Sequence, residues 1–435
     1  MKKLIYLFLL VTSVGIAQPT KFQKIDSLLT YLNKNNKFMG SLCISEKGNV
    51  VFNKSYGYAD AENNIMATNN TKYKIGSITK TFTSAIIFQL IEERKLRLET
   101  TLRKYFPKVA KADSISIEDL LFQRTGIPDY INHDSLSTTE LNAPSLKDAI
   151  YKKIENYNLR FSPKTKYEYS NSNYYLLGGI IEKITGLSYQ ENVKQRITNK
   201  LNLQNTYYKT EATHTNQNES YSHLFSGENW ENIPEWKNET AFAAGAIIST
   251  PEDLTLFMNG LFAGKLINKK SLETMKTIKD GYGAALIQMP FGDRRFYGHT
   301  GGIEGFRSVV GYNEKEELSV SLIVNGDNFN RNDIMIGVLS IYYKMPFPFP
   351  NFEKINPEII AKYSGTYASK DIPLKISIFE KDGEMLAKAT GQSSFMLTMK
   401  NENTFVFTPA GIEMVFNENT FVLKQGGIKF LFEKE

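Results

Sequence analysis

A serine and a lysine three residues apart are the first chemistry the sequence offers. In Gly76-Ser77-Ile78-Thr79-Lys80 the pair stands where a loop gives way to the apolar run 78–90, and no other S-x-x-K occurs in the chain. On a helix that spacing puts both side chains on one face, about one turn apart. A serine hydroxyl is a weak nucleophile until a neighbour takes its proton. A lysine can take it once burial lowers its pKa, and a helix N-terminus favours the negative charge that develops.

Two later segments could complete such a site. Tyr169-Ser170-Asn171 lies in a stretch rich in Tyr and Asn, 167–178. A phenol near a lysine can relay a proton, and an amide can anchor both a lysine and a substrate carbonyl. His299-Thr300-Gly301-Gly302 precedes a strand pair. Glycines at a strand edge let a substrate approach and offer N–H groups to it. Taken alone, each has a plainer reading: a polar loop, and a loop entering a hairpin with a solvent-facing histidine.

The elements that must position these residues are legible in outline. Phe22, Ile25, Leu28, Leu29 and Leu32 recur at helical spacing and predict a helix over 22–35. Apolar runs 42–44 and 50–52 around Gly48-Asn49 predict a hairpin within 39–58. The run 78–90 predicts a buried helix, and Thr250-Pro251-Glu252-Asp253 is a helix start with a capping hydroxyl, Pro at the first position and acids in the first turn. A second hairpin is expected over 303–325, with strands near 309–312 and 318–324, then a helix over 332–343. Alternate prolines in Met345-Pro346-Phe347-Pro348-Phe349-Pro350 break helix and strand alike and mark 346–357 as a linker. Beyond it, short alternating runs at 374–379, 384–389, 395–399, 404–407, 412–416, 421–424 and 428–432 predict a small all-β domain over 358–435. Turn residues such as Asp382-Gly383 separate the runs.

Ser77-x-x-Lys80, then Tyr169-x-Asn171, then His299-Thr300-Gly301 resemble, in that order, the motifs of the penicillin-binding protein and serine β-lactamase superfamily. The tyrosine makes the chain similar to the class C branch, which includes esterases and D-amino-acid peptidases. The segments 120–130, 244–250 and 298–302 look like the same branch, and the resemblance covers about 24–345. It implies an α+β fold: an antiparallel sheet flanked by helices plus an all-helical lobe, with the site between them. It implies Ser77 as the acylated nucleophile, with Lys80 and Tyr169 as general base and then acid. Asn171 would position Lys80 and the substrate carbonyl, and the N–H groups of Ser77 and Gly302 would form an oxyanion hole. His299, Thr300 and Gly301 would line the substrate, and no cofactor is implied. Two departures stand out. His299 replaces the lysine that meets a substrate carboxylate, and a neutral imidazole weakens that recognition; Arg307, a few residues along the same strand, could supply the charge, although surface solvation is the plainer role. Gln123-Arg124-Thr125-Gly126 replaces the usual His-Thr-Ser-Gly and reads as loop variation.

Composition bounds the rest. With 435 residues, 41% hydrophobic, 23% charged and 12% aromatic, the chain is globular, not disordered, collagenous or coiled coil. The one cysteine, Cys43, excludes an internal disulfide and reads as a small core hydrophobe. His133, His214, His223 and His299 are scattered, without metal-ligand spacing. Met1-Lys2-Lys3, an apolar run 4–16 and Gly15-Ile16-Ala17 read as a secretory leader over 1–17. About 13 residues are too few to span a bilayer. Loss of Lys2 and Lys3 with the leader lowers the formal charge of +6 to about +4, too little to suggest a nucleic-acid partner. Trp230 and Trp236, in the polar stretch 227–238, read as exposed loop packing or as a cleft lining. The expectation is an exported, soluble, monomeric serine hydrolase. Its catalytic domain spans 20–345, and its substrate is a small molecule or peptide with an amide bond of β-lactam or D-amino-acid type. A carboxylesterase on the same scaffold and a non-catalytic binder of cell-wall peptides or β-lactams are the alternatives; the full set of four motif residues argues against the binder.

Overall fold

The computed structural model describes residues 20–435 apart from 134, 135, 142, 214, 353, 354, 382, 393, 408 and 409, and leaves out the side chain of Thr138. The expected leader over 1–17, His214 and Asp382 of the expected Asp382-Gly383 turn lie outside the described residues.

Helix α1 (Lys21–Lys34) starts where Thr20 caps it, its hydroxyl accepting from the Gln23 N–H while the Gln23 side chain returns to the Thr20 N–H. The hairpin β1 (Phe38–Glu46) and β2 (Asn49–Tyr56) follows as expected. Helix α2 (Thr79–Glu92) begins two residues after Ser77, which itself sits in a 3-10 turn over Gly76–Ile78. Helix α3 (Asn171–Thr185) begins at Asn171, inside the segment that reads as a polar loop. Helix α4 (Pro251–Phe262) has Thr250 as its cap. Four strands then complete the sheet: β3 (Ile287–Phe291), β4 (Arg294–Ile303), β5 (Phe306–Asn313) and β6 (Leu318–Asp327), followed by α5 (Arg331–Tyr342).

These strands run β3-β4-β5-β6-β1-β2, antiparallel throughout. The short pair His223–Phe225 and Trp230–Asn232 joins beside the end of β6. Successive residues of a strand point to opposite faces, and β6 shows the division. Leu322 and Val324 join the core under α1 and α5, with Leu28, Leu29, Ile334 and Val338. Ile323 joins the larger core with α2, α3 and α4. Helix α2 is buried all round from Thr79 to Leu90, which suits a helix passing through a core. Its polar groups find partners there: Thr83 donates to Ala243 O at 2.7 Å and Ser84 to Ala284 O at 3.0 Å.

Three expectations are corrected. The segment 299–302 is not a loop ahead of the hairpin; it is the end of β4, because Thr300, Gly301 and Gly302 pair with Val309, Ser308 and Arg307 of β5. Trp230 is not exposed: its ring packs over Gly326 and Phe225, whereas Trp236 remains 44% exposed. In the tail, helix α6 (Pro357–Tyr363) and the strand Gly365–Ala368 precede the expected runs, and 395–399 divides into two strands. Among the described residues, nine tail strands form one nearly closed, barrel-shaped antiparallel sheet whose edge strands, Phe395–Met396 and Thr398–Asn401, are separated by one residue. It has its own core of Tyr363, Tyr367, Phe405, Phe416, Phe421 and Phe432. No helix of the described residues is long and apolar enough to cross a membrane.

Candidate active site

The turn that carries Ser77 is pressed against the sheet. Gly76 has φ +53°, and a Cβ there would lie 2.7 Å from the Gly302 N. Any larger residue would push Ser77 away from β4. Ser308 of β5 donates to the Ile75 carbonyl at 2.8 Å and fixes the same approach from below. Residues 299–303 run past the end of β3, which pairs only as far as Gly298, so this edge of β4 faces Ser77 rather than another strand.

Lys80 lies fully buried beneath the serine. Its Nζ is 3.0 Å from Ser77 Oγ, 2.7 Å from Asn171 Oδ1 and 2.7 Å from the Ala244 carbonyl. Burial pushes its pKa down to about 7, while the negative charge of Asp129 opposes the fall. Tyr169 donates its phenol proton to the same Ser77 Oγ at 2.9 Å, and burial raises that phenol above its usual value. Asn171, at the start of α3, accepts from Lys80 with its oxygen and donates to Asp129 Oδ2 at 2.9 Å with its nitrogen. Ser77, Lys80, Tyr169 and Asn171 therefore form one hydrogen-bonded cluster.

Gln123 holds the loop that carries Tyr169. Its side-chain oxygen accepts from Ser170 N at 3.1 Å and Asn173 Nδ2 at 2.5 Å, and its backbone oxygen accepts from Glu168 N at 3.0 Å. The departure at 123 thus has a supporting task beyond loop variation. Thr125 adds a donor to Asn173 Oδ1 at 2.7 Å.

His299 is buried, not solvent-facing, and lies beside the cluster, its ring centroid 6.5 Å from that of Tyr169. Its Nδ1 is 2.5 Å from the Thr300 carbonyl and its Nε2 is 3.0 Å from the Tyr282 hydroxyl. Burial, reinforced by the like charge of Lys80, pushes its pKa down to about 3. Thr300, Gly301 and Gly302 continue along the edge past Ser77. Arg307 pairs with Gly302 across the β4–β5 register, but its Nη1 folds back to the Glu304 and Phe306 carbonyls at 3.0 and 2.8 Å. At the turn between these strands, Lys74 meets Glu304 at 2.8 Å and Glu235 at 3.0 Å. Trp236 N donates to the same Glu304 carboxylate at 2.7 Å.

Asp129, Gln123 and Tyr282 are the residues that sequence reasoning left without a role. Asp129 stood in a segment similar to the family's, so its position was visible although its contact was not. Cys43 is a core residue, its thiol pushed up to about 12 chiefly by burial. Among the described residues, no three of His, Cys, Asp and Glu converge as metal ligands. A cavity of about 540 Å³ is lined by Lys37 and Glu384, which form an ion pair, but it carries no nucleophile with a base. Chemistry, not volume, singles out Ser77.

A family model described as Beta-lactamase matches residues 26–338. The chain is 30% identical over 329 residues to a teichoic acid D-alanine hydrolase of Staphylococcus aureus, covering 72% of this chain and 78% of that protein. The D-amino acid amidase from Ochrobactrum anthropi SV3, solved with L-phenylalanine amide, superposes with a TM-score of 0.67 at 25% identity, covering 74% of this chain and 99% of that one. The octameric penicillin-binding protein homologue from Pyrococcus abyssi shares the fold over 94% of this chain and 99% of its own, with a TM-score of 0.68 at 23% identity.

Proposed function

The chain belongs to the beta-lactamase family, and from that premise we propose that it is an exported serine hydrolase whose Ser77 is acylated by a D-aminoacyl amide or ester. The observation that carries the mechanism is the double claim on one oxygen. Lys80 Nζ and the Tyr169 hydroxyl both lie within hydrogen-bond reach of Ser77 Oγ.

With a pKa of about 7, half of Lys80 is neutral near that pH. The neutral amine keeps its two N–H groups on Asn171 Oδ1 and Ala244 O and turns its lone pair to Ser77. It takes the serine proton as Oγ attacks the substrate carbonyl. The oxyanion is held by the N–H groups of Ser77 and Gly302, for which a stabilisation of about 3 kcal/mol is typical of one such donor. Tyr169, kept protonated by burial, donates to Oγ at rest and passes a proton to the leaving nitrogen or oxygen; Lys80 replenishes it. Water then attacks the acyl-serine with the same lysine as base; as the carbonyl–Oγ bond breaks, Lys80 returns that proton to Ser77 Oγ, and the acid product leaves.

The two relatives named for D-alanine and D-amino acid substrates support the D-aminoacyl class. The uncharged His299 speaks against efficient turnover of carboxylate-bearing β-lactams. Export rests on the leader-like sequence 1–17. The test is to incubate the mature protein with D-phenylalanine amide, p-nitrophenyl acetate and a fluorescent penicillin, and to read acyl-serine by intact mass. The expected result is turnover of the first two with a transient adduct on the peptide containing Ser77, and neither with Ser77→Ala. Turnover that survives Ser77→Ala, or no acylation by any of the three, overturns the reading.

A further inference from the structure

Tyr282 belongs to no motif, yet it stands at the back of the cleft. It lies just ahead of β3 and is buried. Its ring meets Tyr169 edge-on at 5.8 Å and His299 edge-on at 5.7 Å, with Tyr167 tilted against it at 5.8 Å. One residue thus touches the proposed proton donor and the histidine that stands in the place of a family lysine.

The hydrogen bonds of His299 decide its form. A carbonyl only accepts, so the contact of 2.5 Å from Nδ1 to Thr300 O requires a proton on Nδ1. In the neutral ring Nε2 is then the acceptor, and the Tyr282 hydroxyl at 3.0 Å is its donor. Both nitrogens are satisfied without a charge. A second proton on Nε2 would meet the phenol proton head-on and force it to turn away.

We infer that Tyr282 is a specificity-determining positioning residue: it locks His299 as the Nδ1–H neutral imidazole on β4, so that the cleft favours substrates without a carboxylate. The inference rests on the proposed hydrolase reading and adds to it the residue that sets which substrates enter. Four groups face the ring: Tyr282, Tyr169 from the loop ahead of α3, Lys80 from α2, and the Thr300 carbonyl of β4. Lys80 is the one cation among them. Burial raises the Tyr282 phenol well above 10, so it remains a donor throughout the working range.

Nitrogen-15 NMR of the ring tests the lock directly. The chain has four histidines, and His299→Gln assigns the signal. The expected spectrum shows one protonated Nδ1 and one unprotonated Nε2, unchanged between about pH 5 and 8. In Tyr282→Phe the Nε2 signal should lose its hydrogen-bond shift, and the ring should also populate the Nε2–H tautomer, whose N–H can meet a carboxylate. The kinetic companion is the pair p-nitrophenyl acetate and p-nitrophenyl hemisuccinate, which differ by a carboxylate. The wild type should favour the acetate by about tenfold or more in kcat/KM, and Tyr282→Phe should narrow that ratio through KM. Should Tyr282→Phe not fold, His299→Lys carries the kinetic test: a cation there should raise kcat/KM for the hemisuccinate about tenfold. A wild-type ring that is doubly protonated at neutral pH, an Nε2–H tautomer, or a substrate ratio that neither variant moves overturns the inference. The NMR readout needs no turnover, so its failure is separable from that of Ser77→Ala.

Discussion

Replacing Asp129 by asparagine should let the enzyme work at lower pH. Lys80 must be neutral to accept the Ser77 proton, so acylation rises with pH through the lysine pKa of about 7. Asp129 favours the ammonium form and therefore holds that pKa up against burial. The size of its effect follows from the bridge between them. Asn171 lies 2.7 Å from Lys80 Nζ on one side and 2.9 Å from Asp129 Oδ2 on the other. One amide between two such contacts puts the opposite charges within ~8 Å, an attraction of about 2 kcal/mol at an effective dielectric constant of about 20. Asp129 is partly exposed, and solvent screening reduces this to about 1 kcal/mol, or just under one pH unit. Asparagine keeps one acceptor oxygen, which can stay on Asn171 Nδ2, while its amide nitrogen gives up the Ile131 N–H that lies 3.0 Å from Asp129 Oδ1, so native circular dichroism is checked alongside. The assay is kcat/KM for an activated ester at constant ionic strength across about pH 5 to 9, spanning the lysine pKa. The acid limb of Asp129→Asn should move down by about one pH unit, with the plateau little changed. A midpoint that stays or rises would refute Lys80 as the base whose charge Asp129 stabilises.

Other perturbations separate chemistry from scaffold. Tyr169→Phe removes the proton donor and should lower kcat by about 10²–10⁴-fold in single-turnover acylation, with KM little altered. Gly76→Ala places a methyl 2.7 Å from the Gly302 N at φ +53°; the displaced nucleophile should cost about 10²-fold in kcat while circular dichroism stays native. Lys74→Met leaves the Glu304 and Glu235 carboxylates, 0% and 18% exposed, without their shared cation. It should lower stability by about 3–5 kcal/mol in urea unfolding, and an unchanged midpoint would show the cluster to be hydrated.

What the sequence made legible was local. The Ser77 to Lys80 spacing, the Thr250 cap and the alternation of 404–407 each act over a few residues, and each appears where its pattern puts it. The site's assembly is long-range: Lys80 and Asn171 are 91 positions apart, and Tyr169 and Ser77 are 92. Only the resemblance joined them. Tyr282 acts through contacts that no spacing announces, and Gln123 stands out only as a departure from the family pattern, its contacts with Ser170 and Asn173 hidden. Helix α6 carries a legible signal, Asn356 as cap and Pro357 opening it, the same as Thr250-Pro251, but the prolines just before it make the whole stretch read as linker. The end of β4 is hidden for a different reason. Gly301 and Gly302 argue against a strand by propensity, yet β5 supplies the pairing for both, and at Gly301 a Cβ would lie 2.0 Å from the Ile75 carbonyl ahead of Ser77.

Lys80, Tyr169 and His299 are all held toward their uncharged forms mainly by desolvation. In the proposed mechanism that shift makes the first a base, keeps the second a donor, and removes a charge from the third. A lysine at position 299 would have placed a second cation beside Lys80, and two like charges lower each other's pKa. The neutral histidine spares Lys80 that repulsion, so the lysine pKa can settle near 7 by burial alone, balanced by Asp129. The substitution that weakens carboxylate binding thus also keeps Lys80 from becoming too weak a base. His299→Lys should therefore shift the acid limb of kcat/KM downward even as it admits carboxylated esters. If that limb moved up, or did not move, the two residues would be electrostatically independent and the shared explanation would fail.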